Sequence, residues 1–190
     1  MNKILIINAN PKANSLCKAI SERYQENISE SKQAKVLHIG DMDFQLSLDM
    51  GYEETMALEP SLKEFQQSVE WADHIVIVSP VWWGTMPAKL KALFDRAFLP
   101  GFAFRYVKGK AIPEKLLKGR TAELIFTLDT PVFWYKWIQG NPIYLNLKRT
   151  ILDFAGIKNV SANYFGPVIN STDQQRQKWL QKVEALAASR

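Results

Sequence analysis

Cysteine is nearly missing from this chain: Cys17 stands alone among 190 residues. One thiol closes no internal disulfide, so stability must come from a packed core, and the composition suits a reducing compartment; a cytoplasmic protein is expected. Histidine is almost as scarce. His38 and His74 lie in separate apolar runs, and with a single cysteine they give no metal-ligand spacing, so no metal is expected. Long apolar runs are lacking too, and none approaches the roughly 20 residues of a bilayer-spanning helix. The first run, KILIIN, breaks at Asn8 without a small-residue cleavage site, which makes it a first strand and not a secretion signal. The residues that follow, NANPKANSL, contain no glycine. That excludes both the GxGxxG dinucleotide loop and the P-loop.

What is present describes a globular protein. Hydrophobic residues make up 47% and charged residues 23%, enough for a single domain over residues 1–190 to bury a core without staples. The 24 basic residues exceed the 19 acidic ones by five, but they are scattered along the chain. This suits a solvated surface that tolerates an anionic ligand; neither a nucleic-acid partner nor membrane insertion is expected.

Short, continuous apolar runs alternate with stretches of helical period, the pattern of parallel strands buried on both faces. Strands are expected over residues 3–8, 35–39, 74–79, 122–128 and 160–165. Helical stripes run through Leu16, Ile20, Tyr24 and Ile28; through Leu62, Phe65 and Val69; and through Leu90, Leu93, Phe94, Ala97 and Phe98. Thr85 is the expected cap of that third helix, with Pro87 in its first turn. A fourth stripe passes Leu145, Ile151, Leu152 and Phe154 and stops at Gly156. The fifth, Trp179 to Leu186, follows the capping-box pattern of Thr172 and Gln175. Five strands and five helices in alternation predict a doubly wound α/β fold with helices on both faces of the sheet. Residues 40–60 and 99–118 are left as long connections, a feature of functional loops or partner surfaces.

In such a sheet ligands bind beyond the carboxyl ends of the strands, where strand order reverses. Three segments follow strand ends. In NANPKANSL, Asn14 and Ser15 either cap a helix or help its free N–H groups hold a phosphate. In PVWWGTMP, two successive tryptophans cannot share one face of a strand or helix. Either they flank a planar ring, with the N–H groups of Trp82, Trp83 and Gly84 aimed at its heteroatoms, or one packs under the loop and the other at a subunit interface. In TLDTPVFWY, Thr127 and Thr130 stand beside Phe133, Trp134 and Tyr135.

The frames NANPKANSL, PVWWGTMPAKLKALFDRAFLPGFAF and LLKGRTAELIFTLDTP together resemble the NAD(P)H:quinone oxidoreductases of flavodoxin-like fold, over residues 3 to about 165. The resemblance implies a flavodoxin-like five-stranded parallel sheet and a non-covalent flavin. It also implies NAD(P)H as hydride donor, a quinone or similar acceptor, and a homodimer with the flavin at the subunit interface. Asn10, Ser15, Leu16 and Cys17 then stand at the phosphate end of the flavin. Pro80, Val81, Trp82, Trp83 and Gly84 run along its ring, and Thr127, Leu128, Asp129 and Thr130 form a second ring loop. Tyr135 is the candidate match for a tyrosine near the nicotinamide. The chain departs from the pattern at Asn10, where histidine is frequent, and at Leu128-Asp129, where glycines are frequent. Its length favours FMN, with FAD as the alternative. Two rival functions fit the same frame: a flavodoxin-type electron carrier, against which the basic charge speaks, and a regulatory flavoprotein partner of a membrane transporter.

Overall fold

The computed structural model describes residues 2–51, 53–54 and 56–190. Five strands, β1 (Lys3–Asn8), β2 (Gln33–His38), β3 (His74–Pro80), β6 (Thr121–Thr127) and β7 (Lys158–Phe165), form one sheet in the order β2-β1-β3-β6-β7. Every pairing is parallel. The chain leaves β1 toward β2 on one side and resumes at β3 on the other, so the reversal of order lies between β1 and β3. The strand expectations hold in place. β2 starts and ends earlier than expected because Ile39–Asp41 winds into a single 3₁₀ turn.

Side chains alternate across the sheet and build two cores. Ile4, Ile6, Val76, Val78 and Ile125 face α1 (Leu16–Glu26) and α6 (Asp173–Ala188), where Ile20, Tyr24 and Val183 meet them. Leu5, Ile7, Ile75, Ile77, Leu124 and Phe126 face the other way. They are covered by α2 (Pro60–Trp71), by α3 (Ala88–Ala97) and by a helical rod over residues 142–155. The rod is α4 (Pro142–Leu145), a π-wound stretch (Asn146–Leu152) and α5 (Asp153–Ala155), closed by Gly156 at φ +98°. Thr172 and Gln175 form the expected capping box of α6.

One strand position carries a charge into the core. Glu123 has no exposed surface; its Oε2 accepts from the Tyr24 hydroxyl at 3.1 Å and pairs with Arg190 Nη2 at 3.0 Å, while Oε1 accepts from Asn163 Nδ2 at 3.1 Å. Burial alone would raise its carboxyl, but His74, Arg190, Ser161 and Tyr24 outweigh burial and hold it below the usual value.

Both long connections are organised. Arg96, 1% exposed, donates to the Gln45 and Ala57 carbonyls and to both Glu59 oxygens, which ties Gln45, Ala57 and Glu59 to α3. The 99–118 connection contains a short antiparallel ribbon, β4 (Phe104–Arg105) with β5 (Glu114–Lys115), which no periodicity announced. The start of α3 differs from expectation. Pro87 is its N-cap, no side chain caps it, and Thr85 belongs instead to a tight turn with Trp82.

Candidate functional site

The three strand ends are tied edge to edge. Ala9 N–H donates to Val78 O at 2.8 Å, Val81 N–H to Thr127 O at 2.8 Å, and Leu128 N–H to Phe165 O at 3.1 Å. The segments that leave them therefore start from one ledge. At the β1 end, Asn8 Oδ1 accepts from Asn10 N–H, and Asn10 Oδ1 accepts from Lys12 N–H at 3.0 Å. These two bonds turn the chain into α1. Ser15 is the N-cap: its Oγ accepts from Lys18 N–H at 3.1 Å, which leaves the hydroxyl proton free to donate outward. A cavity of about 160 Å³ lies here, lined by Asn8, Asn10, Lys12, Lys18, His38 and Asp41 among others. Two lysines outnumber the one carboxylate, Asp41, in its lining, and with the start of α1 next to it the cavity has the chemistry of an anion seat. Cys17 lies beneath, buried, with Sγ 3.2 Å from Thr127 Oγ1. Burial pushes its thiol up to about 11, so it is neutral and packs as a small apolar residue.

The tryptophan loop is a two-residue turn. Trp82 and Thr85 exchange backbone hydrogen bonds at 2.8 and 3.0 Å, and the two central residues both have positive φ, +49° at Trp83 and +78° at Gly84. This is the pattern of a type I′ turn, where Asn-Gly is favoured. A tryptophan in the left-handed region costs about 1–2 kcal/mol, and here it gains no contact in return: Trp83 is 103% exposed and Trp82 45%. Neither tryptophan is core. The turn also consumes the Trp82 N–H, so only the N–H groups of Trp83 and Gly84, without partners among the described residues, face outward. That corrects the expectation of three such donors.

Tyr135 pins this turn. Its side chain is 1% exposed, its hydroxyl donates to Gly84 O at 2.7 Å and accepts from Ile143 N–H at 3.1 Å. Burial raises its pKa, in keeping with a hydroxyl that stays protonated. It does more than hold the loop. Asn141, the N-cap of α4, is left-handed at φ +54° and makes no side-chain cap; its Nδ2 donates to the Tyr164 hydroxyl at 2.7 Å instead. Tyr135 Oη therefore satisfies a helix-start N–H that the N-cap residue leaves open.

Val81, Trp83, Gly84, Leu128, Asp129 and Thr130, six of the residues expected along the ring, line one cavity of about 400 Å³ together with Tyr135, the residue expected near the nicotinamide as a catalytic candidate. Gln139 lines it as well; it was not expected, and its only sequence signal is a place four residues beyond Tyr135 on the same helical turn. Asn10 lines the smaller anion cavity. Pro80 and Thr127 are buried supports of the ledge, and Leu16 and Cys17 form the start of α1. Trp82 and Trp83 also border a broader groove of about 940 Å³, built from Met86, Ala88 and Lys91 on one side and Pro142, Leu145 and Arg149 on the other. Trp83 is thus a ridge between the groove and the ring-sized cavity. A cavity of this volume with aromatic walls and two outward backbone donors is of the size and character of a small-molecule site (about 300–1,000 Å³), and an anion seat lies on the neighbouring strand end. These are the parts that a flavin mononucleotide needs, a flat ring on an apolar wall and a phosphate at a helix start.

No helix among the described residues is long and apolar enough to cross a membrane, and the described residues hold no metal-binding cluster. Comparison with known proteins agrees with the fold. An uncharacterized NAD(P)H oxidoreductase of Haemophilus influenzae is 29% identical over 185 residues, covering 93% of this chain and 90% of the relative. An FMN-dependent NADH:quinone oxidoreductase of Clostridium beijerinckii is 32% identical over 178 residues, covering 85% and 84%. A crystal structure from Streptococcus mutans superposes with a TM-score of 0.84 at 29% identity, covering 99% of this chain and 100% of that one. The family model described as flavodoxin-like fold matches residues 2–187, in agreement with the five-stranded parallel sheet of order β2-β1-β3-β6-β7: the chain belongs to the flavodoxin-like fold family.

Proposed function

We propose that this chain is an FMN-dependent NAD(P)H:quinone oxidoreductase. The observation that carries the reading is the exposed, conformationally strained Trp83 on the rim of an aromatic cavity beside a capped helix start. Backbone strain of this kind persists where a bound group uses it. Bound FMN would take a hydride from the nicotinamide and return two electrons to a quinone; the protein's share is binding, orientation and electrostatics.

Ser15, Asn10 and the first N–H groups of α1 hold the phosphate. Trp83 and Val81 give the ring its wall, and the N–H groups of Trp83 and Gly84 donate to its heteroatoms. Leu128 and Thr130 border the ring's edge and leave one face open to the nicotinamide and the acceptor. Tyr135, whose hydroxyl is spent on Gly84 and Ile143, acts as a positioning residue for the turn and not as a proton donor. FMN is favoured over FAD because the anion seat is small. The protein acts as a single domain in the cytoplasm, without membrane insertion.

We infer further that it works as a homodimer. The 940 Å³ groove runs between α3 and the rod over residues 142–155, and a second copy laid on it would cover Trp82 and enclose the cavity beside Trp83. Sedimentation should then give a dimer whose affinity drops on Leu145→Asp.

The decisive experiment is flavin binding. Saturating FMN at about 100 times its Kd should stabilise the protein by roughly 2.7 kcal/mol. Anaerobic NADH or NADPH should then bleach the flavin band and menadione restore it. A colourless protein with no FMN-dependent shift in melting would overturn the reading.

A further inference from the structure

Asp129 brings the only formal charge to the described lining of the 400 Å³ cavity; the rest of that lining is apolar, aromatic or neutral polar. The carboxylate is held in place. Its Oδ1 accepts from Ile169 N–H at 2.8 Å, and the neighbouring Leu128 carbonyl accepts from Val168 N–H at 3.0 Å. The loop that supplies both donors is pressed against the strand end: a Cβ on Gly166 would lie 2.4 Å from Leu128 O. One carboxylate oxygen is thereby anchored, and the other has no partner among the described residues.

A negative charge held at the solvent-exposed mouth of the cavity does little for a neutral visitor, but it repels an anion as far as solvent screening allows. We propose that Asp129 sets the charge class of the acceptor: planar neutral or cationic molecules stack at the mouth of the cavity, against the open face of the ring, and planar molecules bearing a sulfonate or carboxylate near the ring are selected against. The proposal rests on the oxidoreductase reading for the identity of the visitor, though not for the electrostatics. A like-charge contact worth a tenfold discrimination corresponds to about 1.4 kcal/mol. Because Asp129 is exposed to solvent at the mouth, salt should erode the effect.

The test uses FMN-loaded protein and two probes of similar shape, menadione and 1,4-naphthoquinone-2-sulfonate. Asp129→Asn keeps an oxygen for the Ile169 N–H and removes the charge, whereas Asp129→Ala removes both. The quantity read is the ratio of kcat/KM for the neutral probe over the anionic one, which cancels any common effect of the carboxylate on the flavin. The ratio should fall about tenfold in Asp129→Asn and should shrink in the wild type between low and high salt. Dissociation constants for naphthalene and naphthalene-2-sulfonate, measured by tryptophan quenching with and without FMN, should move in parallel. A ratio unchanged in Asp129→Asn, or changed only in Asp129→Ala, would overturn the proposal. Failure to bind FMN would sink the oxidoreductase reading alone, since the binding arm on flavin-free protein still decides the role of the charge.

Discussion

Replacing Tyr135 by phenylalanine removes one oxygen and two hydrogen bonds, the 2.7 Å bond to Gly84 O and the 3.1 Å bond from Ile143 N–H. The two ends differ in what they lose. Gly84 is half-buried and its carbonyl can turn to water, so that bond is worth about 1 kcal/mol net. Ile143 is wholly buried, and its N–H would be left without any partner, a penalty of about 1–3 kcal/mol. The ring itself stays and no cavity opens, so the expected loss is about 2–4 kcal/mol. Urea unfolding of the flavin-free protein should show it as a lower midpoint at unchanged slope. Flavin affinity should fall in the same variant because the turn bearing Trp83 loses its pin, while the hydride-transfer rate of the saturated enzyme stays within a few-fold. The reasoning would be refuted by a Tyr135→Phe protein of unchanged stability and flavin affinity whose turnover collapsed. That outcome would make the hydroxyl a catalytic group.

Trp83→Gly should relieve the φ +49° conformation and stabilise the flavin-free protein by up to about 1–2 kcal/mol, yet weaken FMN retention; paired melting curves with and without FMN check both signs. Glu123 has a lowered pKa in the folded state, so its contribution is complete above the unfolded value of 4.5 and is lost as pH falls through the lower folded value. Wild-type stability should drop below about pH 4.5, and Glu123→Gln should flatten that acid limb while lowering stability at neutral pH by less than the loss of a fully buried pair would, about 1–3 kcal/mol, because Arg190 keeps its bond to Ser161 and partial access to water. Cys17, buried with its thiol pushed up to about 11, should resist a disulfide reagent in the native state and react at once in denaturant.

The sheet's centre is readable because β1, β3 and β6 are buried on both faces, so each is a short apolar run that needs no knowledge of partners. The edge strands β2 and β7 are half-buried and show only fragments of such a run. The strand-end rule then pointed to the segments that line the two cavities before any side chain was placed. What escaped reading depends on contacts between residues far apart in the chain. Thr85 looks like a helix cap from its neighbours alone, but the backbone bonds with Trp82 claim it for the turn. That turn was hidden because its first central residue is tryptophan, where the expected signal is asparagine followed by glycine. The ribbon of β4 and β5 is two residues long on each side, too short for alternation to register.

Tyr135 shows the limit most directly. Its place after a strand end marked it for the site, and nothing local could show that its hydroxyl is committed to Gly84, 51 residues earlier, and to the start of α4. The two commitments belong together. A loop that holds a tryptophan in a left-handed conformation, exposed and without packing, needs a rigid anchor, and a helix whose N-cap residue does not cap needs a donor's partner from elsewhere. One buried hydroxyl meets both needs, coupling the wall of the cavity to the rod that borders the groove. An occupant of the groove therefore bears on the cavity by two routes, directly on the Trp82–Trp83 turn that borders both and through the Tyr135 hydroxyl. In a homodimer flavin affinity should rise with association, so that dilution below the dimer dissociation constant weakens FMN binding in the wild type; a smaller effect of dilution in Tyr135→Phe would assign the coupling to the hydroxyl, and an equal effect would assign it to the direct cover of the turn.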